Sequence, residues 1–404
     1  MHICKMEVQN YRSLRAFTIE LKPTTLIIGE NNIGKTNLLN AISLILNNEI
    51  VSYQKRGLSI SDFNYDTVQS FKKSVADLTV ISSDIDFPTI TIEATFTDFN
   101  NDDEEALVSE WYEDDTHKTA TLKYEFYCNL ANKTKWVNSI RDALPIVDEE
   151  LEGEGRDKAE QLRIDSVDLP ILDYKYRITA GLGGIKPDSF QLAPIKIDFL
   201  DALRDAKTEL SASRENRLLY RILNNRDESE YTDIKSSADE LNKAIGTDKN
   251  ALFTIKNDIT ELLDVLSLET DPSKKDINFS FSNLNLSELL KKISLEYGDK
   301  PISIENNGLG RNNLLYMALV LSHIQSKAKV PDFRLIAIEE PEAHISPILQ
   351  KHFAESVTDN GFFNDSSNRQ IILTSHSTHI SSYLDVNNTV VIFNNKGKLD
   401  SHYL

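Results

Sequence analysis

Cysteine is scarce, with Cys4 and Cys128 the two in 404 residues. That excludes a disulfide framework and a cysteine-ligated zinc cluster. Long apolar runs are missing too: no stretch reaches the about 18–20 residues that span a bilayer. The opening Met1-His2-Ile3-Cys4-Lys5-Met6-Glu7 lacks the apolar core and small-residue cleavage site of a secretory signal. A cytoplasmic chain with no membrane partner is expected. Positive charge is in deficit, with 44 Lys and Arg against 63 Asp and Glu, a formal net charge of −19. Such a chain does not hold nucleic acid by bulk charge, so either a local basic surface or a partner must handle DNA. Residues 98–115 carry nine Asp or Glu and no Lys or Arg. They read as a solvated loop and helix face, or alternatively as a dock for a basic partner.

What is present suffices for a large core: 40% hydrophobic residues over a length that suggests two or three domains. Ile3 to Val8 and Phe17 to Leu21 predict short strands around the turn-like Asn10-Tyr11-Arg12-Ser13. Thr25-Leu26-Ile27-Ile28 predicts a buried strand, followed by a helical pattern through Leu38, Leu39, Ile42 and Leu46. Residues 78–97 and 120–127 are rich in β-branched and aromatic side chains and predict further strands. The N-terminal part is thus expected to be strand-rich, with one helix behind Gly29. From about 202 to 296 the pattern becomes helical, in runs Ala202–Leu223, Ile234–Ile245 and Leu252–Leu268 with breaks at Gly246 and Asp271-Pro272-Ser273. These helices form either an inserted arm of the dimerising kind or part of one globular domain. After Pro301 the α/β alternation returns: a helix over 311–326, a strand over 334–338, a helix over 346–357 and strands over 370–374 and 389–393. The expected domains are 1–201, 202–296 and 297–404.

Gly29-Glu30-Asn31-Asn32-Ile33-Gly34-Lys35-Thr36 matches G-x-x-x-x-G-K-[ST] in full, after a strand and opening a helix. The glycines let the backbone N–H groups turn inward around phosphate oxygens at a helix N-terminus. Lys35 reaches the β- and γ-phosphates and the Thr36 hydroxyl helps hold Mg²⁺. The strand Leu335-Ile336-Ala337-Ile338 ends in two carboxylates. Glu339 is placed for the Mg²⁺ shell, and Glu340 to orient and deprotonate an attacking water. Glu339 stands where most P-loop proteins have Asp. Two further pieces resemble ATP-binding-cassette ATPases. His376, at the end of the next strand, matches their switch histidine, although a lone histidine is commonly structural. Asn307-Gly308-Leu309-Gly310 is a glycine turn opening a helix, either a simple cap or the element that in those ATPases meets the γ-phosphate across a dimer.

The order NYRS, GENNIGKTN, a long insertion, NGLGRNN, IEEPEAHISP and TSHSTH resembles the OLD (overcoming lysogenization defect) family, in the cassette-type branch with RecF and the SMC-like DNA-repair proteins. The likeness spans about 1–60 and 300–395. The middle shares only the layout, with Phe199 to Asp205 similar to the lead-in to the family's dimerisation arm. The resemblance implies an α/β, ABC-type (RecF/SMC-like) P-loop ATPase fold with an inserted helical dimerisation arm, and ATP and Mg²⁺ as cofactors. It implies a nucleotide site of Arg12, Gly29, Asn31, Asn32, Ile33, Gly34, Lys35, Thr36, Asn37, Asn307, Gly308 and Gly310, metal contacts at Thr36 and Glu339, and Glu340 and His376 as catalytic groups. Two chains, or a higher homo-oligomer, would sandwich ATP and control a DNA-directed effector in phage defence. The second reading is a RecF-like repair clamp without a nuclease.

Departures from the family's pattern are specific. Glycine follows Asn307 where transporter signatures have serine, and no Q-loop glutamine is recognisable. OLD nucleases carry a Toprim nuclease domain after the histidine strand, and this chain stops at Leu404. Glu152-Gly153-Glu154 resembles the Toprim Glu-Gly element but has no downstream Asp-x-Asp strand end, and Asp84-x-Asp86 precedes it in the wrong order. Nuclease activity in this chain is not expected. The effector is then a separate protein or a missing Toprim domain.

Overall fold

The computed structural model describes residues 1–48, 57–99, 101–113, 116–147, 152–200, 210–214, 217–224, 226–266, 279, 285–297, 302–325, 333–343, 345–358 and 369–404. They fall into two compact units. The first joins Met1–Arg204 to Lys329–Leu404, and the second is Asp205–Ala328.

In chain order the strands are β1 (His2–Tyr11), β2 (Leu14–Glu20), β3 (Thr24–Gly29), β4 (Asn47–Asn48), β5 (Ile90–Thr97), β6 (Ala120–Cys128), β7 (Tyr174–Ala180), β8 (Ile195–Leu200), β9 (Glu296–Tyr297), β10 (Ile302–Ser303), β11 (Phe333–Glu339), β12 (Arg369–Thr374), β13 (Thr389–Asn395) and β14 (Lys398–Tyr403). The first unit holds two sheets. One is antiparallel, in the order β2-β1-β5-β6-β7. The other runs β14-β13-β3-β12-β11-β8-β4, parallel except for the β13–β14 hairpin. β11 is buried at every position, Phe333 to Glu339, as a strand covered on both faces must be. β1 instead alternates around its buried Met6 and Val8, the mark of a sheet with one face toward the core.

The helix Lys35–Ile45 packs against β1, β5 and β6 of one sheet and β3 and β4 of the other. It therefore buries Leu38, Leu39, Ala41, Ile42, Leu44 and Ile45, and the two sheets share one apolar core. Gln370 joins them by hydrogen bonds. Its side chain accepts the Ile3 N–H (2.9 Å) and donates to the carbonyls of Ile3 (2.8 Å) and Lys22 (3.1 Å).

The N-terminal region carries more helix than its sequence pattern predicts. Helices Tyr65–Ala76, Asp102–Val108, Lys133–Ala143 and Glu154–Asp165 lie between the strands. Only Ile90–Thr97 of the predicted 78–97 strand region is a strand, and residues 82–84 form a 3₁₀ turn.

The second unit contains helices Leu218–Asn224, Thr232–Gly246, Ala251–Leu266, Leu286–Leu290 and Leu309–Gln325 with the β9–β10 hairpin. The break expected at Gly246 ends a helix there. The break at 271–273, and residues 202–209 of the first helical run, lie outside the described residues. A small core of Ala212, Leu219, Tyr220 and Leu290 organises this unit.

Candidate nucleotide-binding and hydrolysis site

Four strand ends in the first unit converge. β3 delivers the phosphate loop, β11 the carboxylates and β12 the histidine, while the β1–β2 turn brings Arg12. The loop closes tightly because two positions have room for no side chain. A Cβ on Gly29 would stand 2.7 Å from the Ile392 carbonyl oxygen of β13. At Gly34, where φ is +111°, it would stand 2.7 Å from Ser13 Oγ. Asn32 is left-handed as well, at φ 63°. The helix begins at Lys35 without a side-chain cap, so the N–H groups of its first turn remain available to an anion.

Lys35 is buried, and its Nζ lies 3.0 Å from the carbonyl oxygens of Gly29 and of Glu30 and 2.8 Å from His376 Nε2. Burial pushes this ammonium below the ordinary lysine range. The carboxylates of Glu340, Glu339 and Glu342 pull the other way without cancelling it. Thr36 donates its hydroxyl proton to Glu339 Oε1, linking the loop to the buried end of β11. His376 Nε2 stands 3.1 Å from Glu340 Oε1 as well, so this nitrogen faces both groups and, by its protonation, either accepts from the lysine or donates to the second carboxylate. Glu340 sits just past the strand at φ 42°, a backbone uncommon for a residue with a Cβ. Its N–H is anchored to the Thr374 carbonyl at 3.0 Å.

Arg12, also left-handed at φ 48°, is gripped by Asp62. Its Nε and a terminal nitrogen approach Oδ1 at 3.0 and 2.9 Å. A third nitrogen reaches Asn37 Oδ1 at 3.4 Å, and Asn37 in turn donates to Ser13 Oγ at 2.9 Å. Arg12 and Asn37 therefore belong to one cluster on the first turn of the loop helix. Asn31 and Asn32 are exposed in the loop, and Ile33 is buried beneath it. Asn307, Gly308 and Gly310 stand in the second unit, at the opening of helix Leu309–Gln325, where Asn307 is buried. His344 of the EEPEAH motif lies outside the described residues.

Sequence reasoning missed Asp62, whose link to Arg12 spans fifty positions, and the roles of Glu342, Ser375 and Gln350. Glu342 Oε1 accepts the His376 N–H at 2.6 Å and the Ser375 hydroxyl at 2.9 Å. The EEPE motif displayed Glu342, but nothing in the pattern indicated its partners.

The donor set suits a nucleotide with a hard divalent cation. It offers a glycine-turned loop at a helix start, a buried ammonium for phosphate oxygens, and a hydroxyl paired with a carboxylate, the oxygen ligands Mg²⁺ takes beside phosphates. Fold and site together define an α/β P-loop ATPase. The chain belongs to the AAA ATPase domain family, whose model matches residues 1–381. It is 24% identical over 402 residues to the Endonuclease GajA of Bacillus cereus (strain HuB5-5), covering 92% of this chain and 54% of that protein. It is 32% identical over 71 residues to the OLD nuclease of Thermus scotoductus (strain ATCC 700910 / SA-01), covering 18% of this chain and 13% of that protein. These relatives bear out the resemblance to OLD-family ATPases, and the chain spans about half the length of GajA. Among solved structures it is similar to an Smc head bound to the C-terminal winged-helix domain of ScpA, with a TM-score of 0.49 and 16% identity over 100% of this chain and 98% of that one. It is also similar to the SMC head domain from Thermotoga maritima, with a TM-score of 0.38 and 11% identity over 100% and 99%. No helix among the described residues is long and apolar enough to cross a membrane.

Proposed function

We propose that this chain binds and hydrolyses ATP as the motor of an OLD-like system, and that ATP-driven engagement of two chains controls a DNA-directed effector in phage defence. The observation that supports the chemistry is the closeness of His376 Nε2 to both Lys35 Nζ (2.8 Å) and Glu340 Oε1 (3.1 Å). In this reading Lys35 is the phosphate-binding cation, His376 the γ-phosphate sensor and Glu340 the general base. Gly29 to Thr36 cradle the phosphates, with Asn37 and Arg12 alongside. Thr36 and Glu339 hold Mg²⁺, which when bound neutralises phosphate charge. Glu340 orients water and accepts its proton. Asn307, Gly308 and Gly310 meet the γ-phosphate of the second chain, and the helical segment 202–296 is the arm through which the chains pair. With a net charge of −19, this chain reaches DNA through its effector rather than through its own bulk charge. That effector is a separate protein or a Toprim nuclease domain. The assignment to defence, and to DNA, leans on the kinship with GajA and OLD nucleases.

Phosphate release with Mg²⁺ and ATP tests the reading. Glu340→Gln keeps shape and binding but removes the base, so turnover should fall by about 10²–10⁴-fold while nucleotide affinity stays within a few-fold. Equal turnover in wild type and Glu340→Gln would remove Glu340 from the chemistry.

A further inference from the structure

Beyond the last paired residues of β11 and β12, Glu339 and Thr374, sheet bonds continue for one residue, from the Glu340 N–H to the Thr374 carbonyl (3.0 Å) and from the Ser375 N–H to the Ile27 carbonyl (3.2 Å). Strand pairing does not reach His376. It lies on the loop after β12, so something other than the strand ladder must aim its ring. We propose that Glu342 is the positioning residue of the site, holding the 375–377 loop so that His376 faces Lys35 and Glu340. The inference rests on the ATPase reading above for its kinetic consequences, but not for its geometry.

One carboxylate oxygen of Glu342 accepts both the His376 N–H (2.6 Å) and the hydroxyl of fully buried Ser375 (2.9 Å). Bonds to an ionised acceptor are about twice as strong as neutral ones. The Ser375 oxygen accepts the Ser377 N–H at 2.9 Å. The Ser377 hydroxyl donates to Gln350 Oε1 at 2.6 Å, and Gln350 Nε2 returns to the Ile345 carbonyl at 3.1 Å. The loop after β12 is thereby tied at two points to the segment after β11. Glu342 makes no hydrogen bond to Lys35 among the described residues, and its effect there is through charge alone. Its hold on the His376 ring runs through the backbone N–H of that residue. Removing it leaves the β11–β12 pairing and the core beneath untouched, while the His376 N–H loses its acceptor and the ring its aim.

Three variants separate positioning from charge and from folding. Glu342→Ala should lower kcat by about 10–100-fold, the cost of a misplacement of about 1 Å in a reacting group, with nucleotide Kd changed less than about threefold. Glu342→Gln, which keeps an acceptor oxygen but loses the charge, should recover to within about fivefold of wild type. The double variant with His376→Ala should turn over no more slowly than His376→Ala alone, because both substitutions disable one unit. At fixed pH and without nucleotide, the His376 imidazole resonance should move in Glu342→Ala and stay put in Glu342→Gln. An unmoved resonance in Glu342→Ala overturns the proposal, as does a Glu342→Gln variant as impaired as the alanine. Strict additivity in the double variant overturns it too. Should wild type fail to hydrolyse ATP, the ATPase reading falls while the imidazole resonance still decides the role of Glu342.

Discussion

Asp62 shows how a single carboxylate can set both the position of a functional cation and the acid limit of the fold. Burial alone would raise its pKa, but the backbone and side chain of Ser59, and then the Arg12 guanidinium, donate to it and hold it below the ordinary carboxylate range. A carboxylate with a depressed folded-state pKa stabilises the protein fully above its unfolded pKa of about 4 and loses that contribution as pH falls through the folded value. Arg12 is partly exposed, which screens the pair, so Asp62→Asn should cost about 1 kcal/mol at pH 7. The gap between wild type and Asp62→Asn should close as wild type protonates in acid. Urea unfolding at pH 7 and at about pH 3 measures both gaps. An equal gap at the two values would mean that shape, not charge, is what Asp62 supplies. At neutral pH the same variant keeps an acceptor oxygen but takes away the charge that holds Arg12 beside the loop helix.

At the scale of elements, the side chain of Gln370, at the second position of β12, exchanges hydrogen bonds with the backbone of Ile3 in β1 and so links the two sheets. Gln370→Leu keeps the volume and leaves the N–H and C=O of Ile3 buried without their partner, at a cost of about 2–4 kcal/mol. Thermal unfolding should show a clear drop in Tm, and a variant within a degree of wild type would mean that water repairs the junction. The elements that carry the site were legible because each has a compact signature. Leu26-Ile27-Ile28 before Gly29 give the strand, Gly34-Lys35-Thr36 the helix start, and Ile338-Glu339-Glu340 a strand ending in charge. Other elements lack such marks. Helix Glu154–Asp165 buries no side chain, so it has no apolar stripe to read. β8 interrupts its apolar run with Asp198, which is fully buried and pairs with Arg334 of β11 at 2.9 Å, a neighbour 136 positions away. Helix Tyr65–Ala76 was readable in principle, since Val68, Phe71, Val75 and Ala76 follow helical spacing and are buried. The clasp of Glu342 on Ser375 and His376 could not be read at all, because hydrogen bonds between loops leave no periodicity.

For the whole molecule the proposed pairing of two chains is the quantity to test, and the helices Thr232–Gly246 and Ala251–Leu266 bear on it. Only Ala238 is buried along their described side chains, while Ile234, Leu241, Phe253, Ile255 and Leu262 are 38%, 47%, 51%, 46% and 61% exposed. Covering the exposed half of each gains about 1 kcal/mol per side chain, and a two-fold pairing doubles the set to about 10 kcal/mol. That is comparable to the about 4–15 kcal/mol lost in bringing two bodies together, so the arm alone should give a weak dimer that nucleotide tightens. Sedimentation at about 10 µM should then show partial dimer without ATP and a shift toward dimer with Mg²⁺ and ATP in the Glu340→Gln background, because mass action rewards whichever state binds ligand better. Leu241→Glu combined with Phe253→Glu puts two charges per chain on the pairing face. If the proposed composite site holds, this variant should return the particle to monomer and lower turnover per chain, because Asn307 and Gly308 of the second chain could then not reach the nucleotide. A monomeric double variant that hydrolyses ATP at the wild-type rate would confine the catalytic machinery to Arg12, the Gly29–Thr36 loop, Glu339, Glu340 and His376 of a single chain. The arm would then serve assembly with the effector rather than the chemistry.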